Sequence, residues 1–236
     1  MLSNDTEAKA LVLYKHKQTN RIDLTCHDVV NTKIPGEFVL GAGRAFSLQD
    51  REALVDILLN VEDGVEFLNP RILVKSRSCL VWYNPPQHID VMVKEDGANH
   101  SYKAPIPGLL YIATGSKLRC YAYKGKNRPD ADTPLYRPPL GNAFGDGSFC
   151  TGNAQTPTDH SVASIEGWEN FVLRCTNTHM GGVSVINGVS DYKAFCSFYQ
   201  TLSEKGAKSF PSGKLVPVYA RSGHLTLEEA VMAGGA

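Results

Sequence analysis

Asp132-Thr133-Pro134-Leu135-Tyr136-Arg137-Pro138-Pro139-Leu140-Gly141-Asn142-Ala143-Phe144-Gly145-Asp146-Gly147-Ser148-Phe149-Cys150-Thr151-Gly152-Asn153 carries neither a helical nor a strand period. Pro134, Pro138 and Pro139, followed by Gly141, Gly145, Gly147 and Gly152, forbid a helix or a central strand. The stretch must be a structured loop. It ends by presenting one thiol, Cys150, with the amide side chain of Asn142 eight residues ahead of it. A cysteine held on such a loop reads as chemistry more readily than one on an apolar helix face.

Ahead of the loop, residues 9–14 and 22–31 are rich in Leu, Val, Ile and Thr and read as two strands, paired as a hairpin through Thr19-Asn20. Gly36 to Gly43 breaks that pattern. Ser47-Leu48-Gln49-Asp50 is a variant of the capping box, and Leu54, Ile57, Leu58 and Val61 follow at helical spacing, which predicts a helix over about 48–60. Four β-rich runs come next: Arg71 to Tyr83, His88 to Lys94, Leu109 to Ala113 and Lys117 to Tyr123. Asn84-Pro85-Pro86, Asp96-Gly97 and Gly115-Ser116 bound them, so consecutive antiparallel pairing, a meander, is the economical topology.

Beyond the loop, Thr158 or Asp159 can cap a helix whose apolar stripe is Val162, Ile165, Trp168, Val172 and Cys175. A second helix over about 190–204 repeats the pattern with Tyr192, Phe195, Tyr199 and Leu202 and stops at Gly206. Leu215 to Ala220 reads as a short strand, and Thr226-Leu227-Glu228-Glu229 opens a terminal helix with its own capping box.

With 24 basic and 24 acidic residues in 236, the chain has no net charge and no basic stripe, so nothing in it asks for nucleic acid or an anionic membrane. Its richest basic patch, Lys124-Gly125-Lys126-Asn127-Arg128, reads as a solvated hairpin tip. No apolar run reaches the roughly 18 residues of a membrane helix, and Met1-Leu2-Ser3-Asn4-Asp5 does not open a leader, which points to a cytoplasmic protein. Six cysteines without a C-x-x-C pair argue against a zinc knuckle, and no cofactor or metal is expected. The tail Gly234-Gly235-Ala236 reads as a frayed end.

The loop also carries a resemblance. Ubiquitin-conjugating enzymes present a His-Pro-Asn tripeptide, a turn, a glycine three residues before the active cysteine and an apolar residue just ahead of it. Asn142, Gly147 and Phe149 stand where the asparagine, the glycine and the apolar residue would, whereas Leu140 and Gly141 replace the histidine and proline. Closer still, the chain resembles the PRTRC system protein B family of bacteria, also described as prokaryotic ubiquitin-conjugating-like family D. The shared pieces are Thr133-Pro134-Leu135-Tyr136, Asn142, Gly147 with Cys150, and Thr178-His179. Others are Gly41-Ala42-Gly43-Arg44, Val81-Trp82-Tyr83, Tyr121-Ala122-Tyr123-Lys124-Gly125 and Trp168-Glu169. The resemblance implies an α+β ubiquitin-conjugating-enzyme-like fold: a helix, a four-stranded antiparallel meander, an active-site loop and C-terminal helices. On this reading residues 1–46 are an N-terminal β addition, 47–205 the core, and 206–236 a strand-helix extension.

What the resemblance implies about chemistry is a transferase. Cys150 would accept a ubiquitin-like protein as a thioester from a ThiF-type activating enzyme and pass it to an amine, with a JAB-type metalloprotease encoded in the same cassette. Asn142 would donate to the oxyanion or serve as a turn residue that tolerates a left-handed backbone. His179 would replace the missing histidine, taking a proton or orienting the loop. The rivals are a catalytically silent module that docks a ubiquitin-like partner, and a cysteine hydrolase built on direct contact between Cys150 and His179.

Overall fold

The computed structural model describes residues 8–19, 21–32, 34, 37–59 and 69–233. Asn20, Gly36, Asn60, Val61, the first seven residues and the tail Gly234-Gly235-Ala236 lie outside them. The chain divides into two compact units, Met1–Glu66 and Phe67–Ala236.

In the first unit, β1 (Lys9–Lys15) and β2 (Ile22–Asn31) form the expected antiparallel hairpin. β2 also pairs with β3 (Phe38–Leu40) near its end and with β4 (Arg44–Ala45) at Thr25 and Cys26. Helix α1 (Leu48–Leu59) begins where the capping box places it. The Ser47 hydroxyl accepts from the Asp50 amide at 3.1 Å, and the Asp50 carboxylate accepts from the Ser47 amide at 2.8 Å. Arg44 closes on the same carboxylate and, with Ser47, holds it well below the usual carboxylate range.

The second unit is α+β, and its strands depart from a simple meander. Arg71 to Tyr83 is two strands, β5 (Ile72–Lys75) and β6 (Leu80–Asn84), because Ser76 turns the chain: its hydroxyl accepts from the amides of Ser78 and Cys79. β7 (Gln87–Glu95) pairs with β8 (Ala98–Ile106), not with the run after it, through a turn at Asp96 and Gly97 where both residues have positive φ. β9 (Gly108–Thr114) and β10 (Lys117–Tyr123) pair as expected. The main sheet therefore has the order β10-β9-β6-β5, with the β7–β8 ribbon inserted between sheet neighbours β6 and β9.

Both faces of the main sheet and one face of the ribbon are covered. One face of the main sheet, with Trp82, Tyr111 and Cys120, packs on α2 (Ile165–Arg174) through Ile165, Trp168, Phe171 and Val172. Glu169 pins that helix, taking hydrogen bonds from Arg71 at 2.6 Å and from the Trp82 indole at 3.1 Å. The ribbon packs on α3 (Tyr192–Glu204) through Val91, Val93, Ala104, Phe195 and Tyr199. The opposite face of the main sheet takes Leu135 and, from α4 (Leu227–Met232), Leu227 and Ala230. Phe210, Leu215, Leu227 and Ala230 thus belong to the second unit's buried clusters.

Helix ends follow local chemistry with one shift. Asp159 binds the Ser161 amide and a single 3₁₀ turn, Val162–Ser164, precedes α2, so that helix starts later than its apolar stripe suggests. α3 is capped by Asp191 and ends in a Schellman motif, with Gly206 at φ 57° and the Ala207 amide on the Leu202 carbonyl. Where Leu215 to Ala220 reads as a strand, only β11 (Tyr219–Ala220) forms, paired with β12 (Gly223–His224). Arg128, expected in a solvated tip, instead donates to the carbonyls of Pro70 and Ile72 beside edge strand β5. The capping box of α4 is complete, Thr226 and Glu229 bonding reciprocally. Thr226→Ala is expected to cost about 1 kcal/mol, read as a lowered urea midpoint at unchanged slope.

Candidate functional site

The proline-glycine loop folds its second half into a miniature hairpin. Phe144 N donates to Ser148 O at 2.8 Å, Gly147 N to Phe144 O at 3.2 Å, and Ala143 bridges Phe149. Gly147 is required at its tip: its φ is 86°, and a Cβ there would lie 2.8 Å from the Tyr121 ring. The tip is tied to β10, whose Cys120 amide donates to Gly147 O at 2.8 Å while the Tyr121 hydroxyl donates to Asp146 O at 2.8 Å. Asp146 turns its carboxylate back onto the Ser148 hydroxyl and amide, and those bonds hold it below the usual carboxylate range.

Alternation along the returning strand then separates two side chains. Phe149 packs inward, its ring 6.2 Å from that of Phe171, and Cys150 is left exposed. Of the six free cysteines, Cys26, Cys79, Cys120 and Cys196 are buried and Cys175 is half-buried. A groove of about 410 Å³ runs beside the hairpin, lined by Lys117, Arg119, Ser148, Thr151, Trp168 and Phe171 among others.

Asn142 lies against Cys150 through the backbone, the Cys150 amide donating to the Asn142 carbonyl at 2.8 Å. Its own φ is 60°, a left-handed conformation that asparagine tolerates. The side chain is 9% exposed and reaches into the segment after α2. Nδ2 donates to Thr176 O at 2.9 Å, and Oδ1 accepts from the Thr178 amide at 3.0 Å and the Thr178 hydroxyl at 3.1 Å. In the same lacing the Asn142 amide donates to the carbonyl of His179 at 2.9 Å. The three residues singled out from the sequence therefore sit on three adjacent, backbone-bonded segments. The His179 ring is half-buried, and its Nδ1 lies 3.0 Å from the Thr178 hydroxyl.

The family model described as Prokaryotic E2 family D matches residues 52–218. The chain belongs to that family. No curated protein and no solved structure matches it. Family D membership gives the chain an E2-like role and a general relation to a ubiquitin-like protein and its activating enzyme, and the matched span takes in Asn142, Cys150 and His179.

In this family D chain the segment bearing His179 is held by residues that sequence reading passed over. Asn177 is buried: its backbone N–H and side-chain amide both donate to Met92 O at 2.8 Å, and its carbonyl accepts from the Lys94 amide and the Tyr192 hydroxyl. Val93 and Asn177 form a parallel bridge, so β7 is the wall on which the segment is hung. Gly141 and Gly181 let the two segments approach. A Cβ on Gly141 would stand 2.7 Å from the Asn177 Cβ, and one on Gly181 only 2.2 Å from the Ala143 carbonyl oxygen. The glycine of Met180-Gly181-Gly182 was the available signal.

Gly181→Ala should separate fold from site. Its added methyl meets backbone, which cannot swing aside, so a stability loss of about 2 kcal/mol is expected in urea unfolding. Gly182, at φ 74° with open space around it, should lose about 1 kcal/mol on the same substitution, from backbone strain alone.

Proposed function

We propose that the chain is a conjugating enzyme, built on a ubiquitin-conjugating-like arrangement of sheet, active-site loop and C-terminal helices. It accepts the C-terminal carboxyl of a ubiquitin-like protein on Cys150 from a ThiF-type, ATP-using activating enzyme, then donates it to an amine. The observation that carries this reading is the exposed thiol of Cys150, fixed by its own amide to Asn142 on a rigid hairpin beside an open groove.

In the first step the Cys150 sulfur bonds to the activated acyl carbon and the activating enzyme's leaving group departs. In the second, the acceptor nitrogen adds to the thioester carbonyl, a C–N bond forms, the C–S bond breaks, and the amine proton goes to a base. Negative charge gathers on the carbonyl oxygen between those events. Asn142 uses one of its two amide hydrogens on Thr176, and the second is free to meet that oxygen. His179 is the base, or it orients the loop. A JAB-type metalloprotease from the same cassette would act on the same carrier.

The direct test is incubation with the activating enzyme, the ubiquitin-like protein and ATP. A covalent adduct that disappears on adding thiol supports transfer. Binding with no adduct supports the docking module, a reading favoured by the use of the Asn142 carboxamide as a brace. A hydrolase would need the imidazole on the thiol, and among the described residues no hydrogen bond joins His179 to the Cys150 sulfur, the ring's Nδ1 lying against Thr178 instead.

A further inference from the structure

We infer that Thr178 is a positioning residue: its hydroxyl, donating to Asn142, accepts a hydrogen bond from the Nδ1–H of His179 and so fixes that imidazole in the tautomer whose basic nitrogen is Nε2. The meaning of this for transfer rests on the conjugating reading above, while the tautomer itself does not.

Hydrogen counting carries the argument. Donation from Asn142 Nδ2 to the Thr176 carbonyl settles which way the amide faces, since the reversed amide would set two oxygens against each other. Oδ1 is thus the atom turned to Thr178, and an oxygen of that kind only accepts. The Thr178 hydroxyl lies 3.1 Å from Oδ1 and 3.0 Å from His179 Nδ1, and it has one hydrogen to give. Given to Oδ1, it leaves an oxygen lone pair for Nδ1, which must then carry a proton. Given to Nδ1, it leaves two acceptor oxygens 3.1 Å apart with nothing between them. The first arrangement satisfies all three groups.

Two consequences follow from an Nδ1–H that points at Thr178. Nε2, which has no hydrogen-bond partner among the described residues, is the lone-pair nitrogen of a partly buried ring. When Nε2 takes a proton, Nδ1 is still a donor, so the relay from His179 through Thr178 to Asn142 is unbroken in both protonation states. The ring can gain and lose a proton without disturbing the amide that braces the hairpin of Cys150. Thr178 thus couples the two residues that the sequence singles out on either side of the thiol.

The test is the ring nitrogen spectrum of His179 in uniformly ¹⁵N-labelled full-length protein, recorded under alkaline conditions that leave the ring neutral. The wild-type chain is expected to show a protonated Nδ1 and a bare Nε2. Thr178→Val should shift the neutral ring toward the Nε2–H form and Thr178→Ser should restore the wild-type pattern, a rescue that general loosening of the loop would not produce. A wild-type ring protonated on Nε2 overturns the relay, and no variant is needed to see it. Discharge of a preformed Cys150 thioester to a small amine then reads the catalytic meaning. Thr178→Val should slow it about tenfold, within the roughly 10²–10⁴ that a positioned base contributes, and lower the plateau of its pH profile. A tautomer that shifts with no change in discharge leaves the relay standing and removes His179 from the transfer step.

Discussion

Cys150→Ala is expected to abolish the thiol-labile adduct entirely, and Cys150→Ser to replace it with an oxyester that survives reducing agent. The expectation rests on exposure and not on spacing alone. Burial pushes the thiols of Cys120, Cys175 and Cys196 up, and Cys26 and Cys79 are shut inside their units. Of the six, Cys150 alone is exposed, and its backbone amide is fixed to Asn142. Brief alkylation of the native protein at neutral pH should therefore modify Cys150 first, which intact-mass measurement and peptide mapping would read. Because the side chain is exposed, neither variant should move stability by more than about 0.5 kcal/mol. An adduct that persists in Cys150→Ala, or that maps to another cysteine, ends the assignment.

Local chemistry made much of this fold legible before any coordinates. Ser47 with Asp50, Thr226 with Glu229, Asp96-Gly97 and Gly206 each specify a backbone shape through contacts within a few residues, and each does so here. Strand β8 was hidden for a different reason. It belongs to a two-stranded ribbon, so Asn99, His100, Ser101 and Lys103 face water, while the buried residues, Ala104, Pro105 and Ile106, are consecutive at its end and include a proline, which leaves no alternating pattern to read. Pairing of β6 with β9 across the inserted ribbon is a tertiary choice, settled by packing such as the stacked rings of Trp82 and Tyr111, 5.0 Å apart. At the site, the Asn142 to Cys150 interval survives as a hairpin because Gly147 and Asn142 both need positive φ. The clasp around them was not legible, since Asn177 is bonded to Met92, 85 residues away, and no local pattern announces such a contact.

Asn142 carries the second large effect, and its three roles can be pulled apart by choice of replacement. Glycine keeps the left-handed backbone at φ 60° and deletes the side chain, alanine deletes it and adds about 1–2 kcal/mol of backbone strain, and aspartate keeps the shape but sets a carboxylate oxygen against Thr176 O. In Asn142→Gly the Thr176 carbonyl and both Thr178 donors lose their partner, and because Thr176 is half-buried and Thr178 exposed, water replaces part of these bonds and the cost is about 1 kcal/mol. The free amide hydrogen proposed for the oxyanion goes with them, so discharge of the thioester to an amine should fall about 10²–10³-fold. Asn142→Asp retains acceptance from Thr178 yet offers no donor, and on this account it should discharge as slowly as the glycine variant. If aspartate works nearly as well as asparagine while glycine does not, the carboxamide is a brace and nothing more. If glycine discharges at the wild-type rate, neither the brace nor the donor matters, because a loop that needed Asn142 to hold Cys150 and His179 together could not tolerate its loss.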